Sequence, residues 1–303
     1  MSKTVLILGG SGRFGRNATQ AFQSAGWTTR QFDRTSDTLI TAATGVDVIV
    51  NAWNPPYQHW QKQVPMLTKQ VIAAAKASGA TVIIPGNVYN YGAEAPELLT
   101  PETPQAATNP LGRLRTAMEQ AYHSSGVPTI VLRAGDFIDT VPTGIWFDRV
   151  LTAKLSKGAF TYMGRWDAPH AWAYLPDVTR AAVMLAEKRD ALDRFEVITF
   201  PGYTLTGEEM ALAMERVLGR TLKRVSFNWT IFHLLRPFWR MMRHIFEMRY
   251  LWNKPHRLDG ARLQNCLPGF VPTPLDDALR AALPVDIQPN QSVATGGNGH
   301  IMA

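Results

Sequence analysis

The feature that most constrains this chain is its start, Thr4-Val-Leu-Ile-Leu-Gly-Gly-Ser-Gly-Arg-Phe-Gly-Arg16. An apolar run from Val5 to Leu8 stops at Gly9 and Gly10, and an amphipathic stretch then runs from near Arg13 to Ala25. This is the pattern of a buried parallel strand that turns tightly into a helix. Glycines let the backbone take positive φ and let a ligand approach it closely. The helix start beyond them offers unpaired N–H groups and the positive end of a dipole, which suits a pyrophosphate. The pattern predicts a dinucleotide held by Gly9, Gly10, Ser11, Gly12, Arg13, Phe14 and Gly15.

The rest of the chain alternates in the way such a loop requires. Thr28 to Phe32 reads as a second strand with Asp33 at its end, and Val46 to Ala52 as a third that closes on Asn51 and Ala52. Gln61 to Ser78 carries helical periodicity and Thr81 to Ile84 is a fourth strand. A loop rich in Pro, Asn, Tyr and Gly spans Pro85 to Pro110. Leu111 to His123 reads as a helix, and Thr129 to Leu132 and Phe195 to Thr199 as the fifth and sixth strands. Near-continuous apolar strands alternating with helices predict an α/β, Rossmann-type, doubly wound parallel sheet. Ligands of such sheets bind outside the carboxyl ends of the strands. The loops after Leu8, Phe32, Ala52, Ile84 and Leu132 are therefore expected to ring one crevice.

From Asp136 onward the pattern loosens. Ile145 to Lys157 reads as helical and Phe160 to Met163 as a short strand. Asp177 is the expected N-cap of a helix to Arg189, and Thr206 with Glu209 reads as a capping box for a helix to Leu218. The expected division is a dinucleotide-binding domain of residues 1–135 and 177–200, and a smaller C-terminal substrate domain of residues 136–176 and 201–287. Residues 288–303 read as a polar, Gly-rich, disordered tail.

Composition narrows the function classes. Hydrophobic content of 46% and charged content of 18% over 303 residues describe an ordinary globular chain. A single cysteine, Cys266, allows no internal disulfide and reads as a small core hydrophobe in a reducing, cytoplasmic setting. The N-terminus lacks the apolar core of a signal peptide, and no apolar run approaches the ~20 residues that span a bilayer. The net charge of +7 is local. Arg220 to Arg262 holds ten Lys/Arg against two acidic residues, which leaves the remainder close to neutral and argues against a nucleic-acid surface. None of the seven histidines has metal-ligand spacing, so no metal is predicted. Within 229–252, Arg236, Arg240, Arg243 and Glu247 form one polar stripe on an otherwise apolar helix. Three readings compete for it: a core helix, a lid over an apolar substrate, and a contact with a membrane surface or a partner.

A second set of motifs brings in a family. The glycine loop, Asp33, Val46 to Ala52, Asn87-Val-Tyr-Asn-Tyr-Gly92, Asn109-Pro-Leu-Gly-Arg-Leu-Arg115 and Val131-Leu-Arg133 together resemble the extended short-chain dehydrogenase/reductases, also called the NAD-dependent epimerase/dehydratase family. The resemblance covers roughly residues 3 to 200. It implies a small-molecule substrate, commonly a sugar nucleotide, and NAD or NADP as cofactor. Asp33 favours NAD through the ribose hydroxyls, whereas Arg34 favours the 2′-phosphate of NADP.

The resemblance also exposes a departure. The family's Tyr-x-x-x-Lys pair falls on Leu111 and Arg115, and its serine or threonine falls on Asn87. A phenol near pKa 10, lowered by a neighbouring ammonium, can exchange a proton near neutral pH. Leucine cannot do so, and arginine stays charged. Asn87 can still polarise a carbonyl, and Arg115 can still bond ribose hydroxyls. Tyr89, Tyr91 and His170 are the candidates to supply the missing proton, with structural packing as the alternative for each. The expectation is an NAD(P)-dependent oxidoreductase or epimerase/dehydratase acting on a carbinol or carbonyl carbon with a non-standard acid/base. The competing expectation is an NAD(P)-binding sensor or assembly factor without turnover.

Overall fold

The structure is a computed structural model that describes residues 3–35, 38–230, 233, 240–284 and 287. Its strands are β1 (Thr4–Leu8), β2 (Thr28–Gln31), β3 (Val48–Asn51), β4 (Thr81–Gly86), β5 (Leu98–Leu99), β6 (Thr129–Arg133), β7 (Asp136–Ile138), β8 (Ala159–Tyr162), β9 (His170–Tyr174), β10 (Phe195–Thr199), β11 (Tyr203–Leu205), β12 (Lys223–Ser226) and β13 (Arg257–Leu258). Its helices are α1 (Arg13–Ser24), α2 (Leu39–Ala42), α3 (Tyr57–Ser78), α4 (Pro110–Ser125), α5 (Leu175–Glu187), α6 (Gly207–Leu218), α7 (Arg240–Glu247), α8 (Ala261–Cys266) and α9 (Leu275–Ala282).

Six strands form one sheet in the order β10-β6-β4-β3-β1-β2, with every neighbouring pair parallel. The strand order reverses between β1 and β3, which is the topological switch point where such sheets bind ligands. Period-two alternation sets the layers. Leu6, Leu8, Ile49, Val82 and Ile84 face one side with Trp60, Val64 and Val71 of α3 and Leu111, Met118 and Tyr122 of α4. Val5, Ile7, Val48, Val50, Ile83 and Ile130 face the other with Phe14, Ala18 and Phe22 of α1 and Val178, Ala181 and Leu185 of α5. A third core gathers Ile138, Phe147, Phe160, Trp172, Met210, Met214, Trp252 and Leu279 from the segments after β6. There β9 pairs with β7 and β11, and β8 with β12.

Three local expectations are revised. Helix α3 begins four residues early, at Tyr57, because Pro56 before it holds an extended conformation that starts the helix there. Residues 145–157 do not form one helix but a π turn at Phe147–Leu151 and a 3₁₀ turn at Leu155–Lys157, the latter closed by Gly158 in the left-handed region. Asp177 is not an N-cap. It lies in the first turn of α5, capped by Tyr174, and its carboxylate accepts the Thr273 N–H (2.6 Å) and hydroxyl (2.8 Å) instead. Thr206 and Glu209 do form the capping box of α6. The tail 288–303 and residues 234–239, including Arg236, lie outside the described residues.

Candidate active site

The loop between β1 and α1 is built as tightly as its glycines suggest. Gly9 takes φ +77°, and its carbonyl accepts the Gly12 N–H at 2.9 Å. A Cβ on Gly15 would stand 2.2 Å from the Gly9 carbonyl oxygen, so the turn closes only on glycine. Helix α1 starts at Gly12 with no side-chain cap and no acidic residue in its first turn. Its first N–H groups and dipole are thus left for an anion. Ser11 is exposed at the tip, Phe14 is buried beneath the loop, and Arg13 reaches the Thr143 carbonyl across the crevice. The loop offers a cradle that fits a pyrophosphate.

The far end of the cradle is also formed. Asp33 is exposed at the end of β2, where its Oδ1 accepts the N–H (2.9 Å) and hydroxyl (2.7 Å) of Thr35. Those bonds hold its carboxyl below the usual range and keep it ionised. Arg34 lies over the Trp53 ring at 4.7 Å, and Trp53 packs edge-on against Phe32. The Trp53 ring and the Ala52 carbonyl wall the loop beside Gly9. The Asn51 amide donates to the buried Tyr122 hydroxyl at 3.1 Å, and its Oδ1 accepts the Trp53 N–H at 3.4 Å.

The positions that lack the tyrosine and lysine are occupied structurally. Leu111 is buried in the core, and its N–H donates to Glu247 Oε1 at 2.6 Å; Asn109 donates to the same oxygen at 2.9 Å. Glu247 of α7 therefore serves the bare N-terminus of α4. Arg115 is buried and donates to the Pro85 carbonyl at 2.6 Å beneath the crevice, while Arg113 is exposed. Burial pulls the Arg115 guanidinium below its ordinary value. Asn87 accepts the Tyr89 N–H through Oδ1, which leaves its amide N–H groups as donors. The loop is held from below by Arg133, which pairs with Glu119 at 2.6 and 3.1 Å and bonds Asn90 and the Asn87 carbonyl. Tyr91 is committed to this scaffold: it is buried, donates to the Thr100 carbonyl and lies under the Arg133 guanidinium.

Two polar pairs occupy the space that remains. The Tyr57 and Tyr89 hydroxyls are 2.8 Å apart, and burial pushes both phenols above their ordinary value, Tyr89 the further. They feel the charges of Arg115 and Asp136, and Tyr57 that of Arg13 as well. Opposite them, His170 Nε2 lies 2.8 Å from Asp136 Oδ2. Asp136 keeps 34% of its side chain exposed, whereas His170 is 2% exposed and stands behind it. His170 stacks on Trp252 (4.6 Å, 16°) and meets the edge of His256 at 4.5 Å. The sequence marks His170 as a candidate acid or base or as a packed residue, and the structure places it buried among aromatic rings with Asp136 as the exposed member of the pair. Sequence reading misses Tyr57, Trp252 and His256, which no motif marks and which only the folding of distant segments brings here.

The described part of 229–252 packs inward. Met242 and Met248 are buried, His244 lies edge-on to Tyr57, and Trp229 packs against Phe246. Among the described residues no helix is long and apolar enough to cross a membrane, and no cluster of His, Cys, Asp or Glu suits a metal.

No family model matches the sequence, and no curated protein matches it. Solved structures do. UDP-glucuronic acid 4-epimerase from Bacillus cereus, in complex with UDP-glucuronic acid and NAD, is 16% identical, with a TM-score of 0.70 over 92% of this chain and 97% of that one. UDP-glucose 4-epimerase from Brucella ovis, in complex with NAD, is 16% identical, with a TM-score of 0.71 over 93% and 97%. A nucleoside-diphosphate-sugar epimerase from Pseudomonas aeruginosa is 16% identical, with a TM-score of 0.69 over 93% and 96%. The chain has the fold of these epimerases over nearly its whole length.

Proposed function

We propose that this chain is an NAD(P)-binding oxidoreductase of the epimerase/dehydratase type, acting in the cytoplasm on a carbinol or carbonyl carbon of a small molecule. Sugar nucleotides, the ligands of its structural neighbours, are the first substrates to try. The observation that carries the reading is the bare start of α1 at the switch point of the sheet, facing a crevice that also holds two phenols and a carboxylate.

The backbone of residues 9–15 would hold the pyrophosphate, and Asp33 or Arg34 the adenosine ribose. When bound, the nicotinamide supplies hydride chemistry. The chain's own residues manage the substrate oxygen. Asn87 donates an amide N–H to it. The Tyr57–Tyr89 pair, kept protonated by burial, donates a hydrogen bond to it. Arg115, fixed under the loop, holds a positive charge beside that pair.

The test is binding followed by turnover. Reduced NAD and NADP are titrated against the full chain. UDP-glucose, UDP-glucuronic acid and simple secondary alcohols are then offered with the oxidised cofactor. Tyr89→Phe is expected to keep cofactor affinity and to lower turnover by roughly 100-fold or more, the usual share of one hydrogen-bond donor to a developing oxyanion. A protein that binds neither cofactor would sink the reading. One that binds but turns over nothing would leave a sensor.

A further inference from the structure

We propose that Asp136 accepts the proton of a substrate hydroxyl, and that His170 is its positioning residue. This rests on the cofactor reading above, and it names the base that reading leaves open.

Burial keeps the two phenols protonated, so they can give a hydrogen bond but neither take nor release a proton near neutral pH. Leu111 carries no proton, and Arg115 stays charged. Asp136 is a carboxylate at the start of β7, just beyond the carboxyl end of β6, partly open to the crevice and close enough for its charge to act on Tyr57 and Tyr89.

Its two oxygens have different surroundings. Oδ2 is bonded to His170, while Oδ1 makes no hydrogen bond among the described residues. With one oxygen pinned, the carboxylate cannot rotate, and Oδ1 keeps a single direction.

His170 is built to hold and not to react. It is sealed between Trp252 and His256, and its Nδ1 is buried without a partner. A ring with one acceptor available, and that one a carboxylate, places its proton on Nε2 and donates it to Oδ2. His256 adds no charge, because burial drives it down to about 3.

The proposed step moves one proton. The substrate O–H bond breaks and its electron pair stays on the substrate oxygen. A new O–H bond forms on Asp136 Oδ1, and the carboxylate becomes a neutral acid. The reverse reaction returns the proton.

The experiment uses the full chain saturated with NAD and reads four quantities: NAD affinity by tryptophan fluorescence, the thermal unfolding midpoint, the His170 Nε2–H resonance by NMR, and turnover of UDP-glucose, UDP-glucuronic acid and secondary alcohols. Asp136→Asn should hold NAD within about twofold and lower kcat by roughly 100-fold or more, with KM little changed. Asp136→Ala should abolish the low-field His170 resonance. His170→Phe, which keeps the stack on Trp252 but loses the donor, should lose activity, and His170→Gln, which restores a donor, should recover most of it. Three results would overturn the proposal: Asp136→Asn within threefold of wild-type kcat, a low-field resonance that survives Asp136→Ala, or equal activity for His170→Phe and His170→Gln. A wild type that binds NAD yet turns over none of the probes also removes the catalytic role. Failure to bind NAD instead removes the underlying reading, and the resonance still reports whether the pair exists.

Discussion

Breaking the Arg133–Glu119 pair provides the sharpest test of how the candidate active-site loop is held. Arg133 is 0% exposed and Glu119 2% exposed, so neither charge is solvated by water. The guanidinium makes both of its carboxylate bonds to Glu119 and carries the loop through Asn90 and the Asn87 carbonyl. Glu119→Gln keeps the shape and removes the charge, leaving a buried cation uncompensated. Such a break costs about 3–5 kcal/mol. In a chain of this size, about 2 °C of midpoint is lost per kcal/mol, so a fall of roughly 6–10 °C is expected. Replacing both partners, as Glu119→Leu with Arg133→Met, removes both charges and should cost less than the two single changes together. The cost does not vanish, because the Asn87 carbonyl and Asn90 lose a donor, at about 1–3 kcal/mol for each buried group left unpaired. Urea unfolding at neutral pH, followed by tryptophan fluorescence, measures Glu119→Gln, the two single changes Glu119→Leu and Arg133→Met, and their double. A single variant within about 1 kcal/mol of wild type would refute the reasoning. So would a double variant that costs more than the sum of the singles.

Two further predictions concern the glycine loop and a buried histidine. Gly15→Ala places a methyl group 2.2 Å from the Gly9 carbonyl oxygen, so the loop must open; calorimetry should find cofactor affinity lost in a protein that remains folded by circular dichroism. His256 is held neutral down to about 3 chiefly by burial, against an unfolded value near 6.5. Its neutral form stabilises the fold fully above pH 6.5, and that contribution is lost as pH falls towards 3, because the unfolded state then binds the extra proton. His256→Phe should flatten the pH dependence of urea unfolding over that window; an unchanged slope would contradict the assignment.

What the sequence reveals and what it hides divide along the range of the interactions. The strand-turn-helix at residues 4–24 and the capping box at Thr206 are local, because neighbouring residues alone decide them. The alternation of Leu6, Ile7 and Leu8 between two helix layers follows from strand period and is legible in the same way. The chemistry was not legible, because its parts are separated along the chain. Asp136 meets His170 across 34 residues, Tyr57 meets Tyr89 across 32, and Glu247 reaches the start of α4 from 136 residues away. No spacing rule links such positions. Leu111 and Arg115 could be recognised as a departure, but the groups that face the crevice beside them appear only once β3, β4 and β6 place their loops side by side. The segment after Trp229 stays ambiguous for a related reason: its apolar residues and arginine stripe fit a membrane surface as well as a core, and the buried Met242 and Met248 show that part of its apolar face packs inward.

The most direct measurement is a titration of the full-length chain with reduced NAD and with reduced NADP, followed by calorimetry and by quenching of tryptophan fluorescence. Trp53, beside Gly9 and under Arg34, stands where such a ligand would be felt. Saturable binding of at least one of the two is expected at one site per chain, abolished by Gly15→Ala. Absence of binding to both into the millimolar range, or binding that survives Gly15→Ala unchanged, would contradict it.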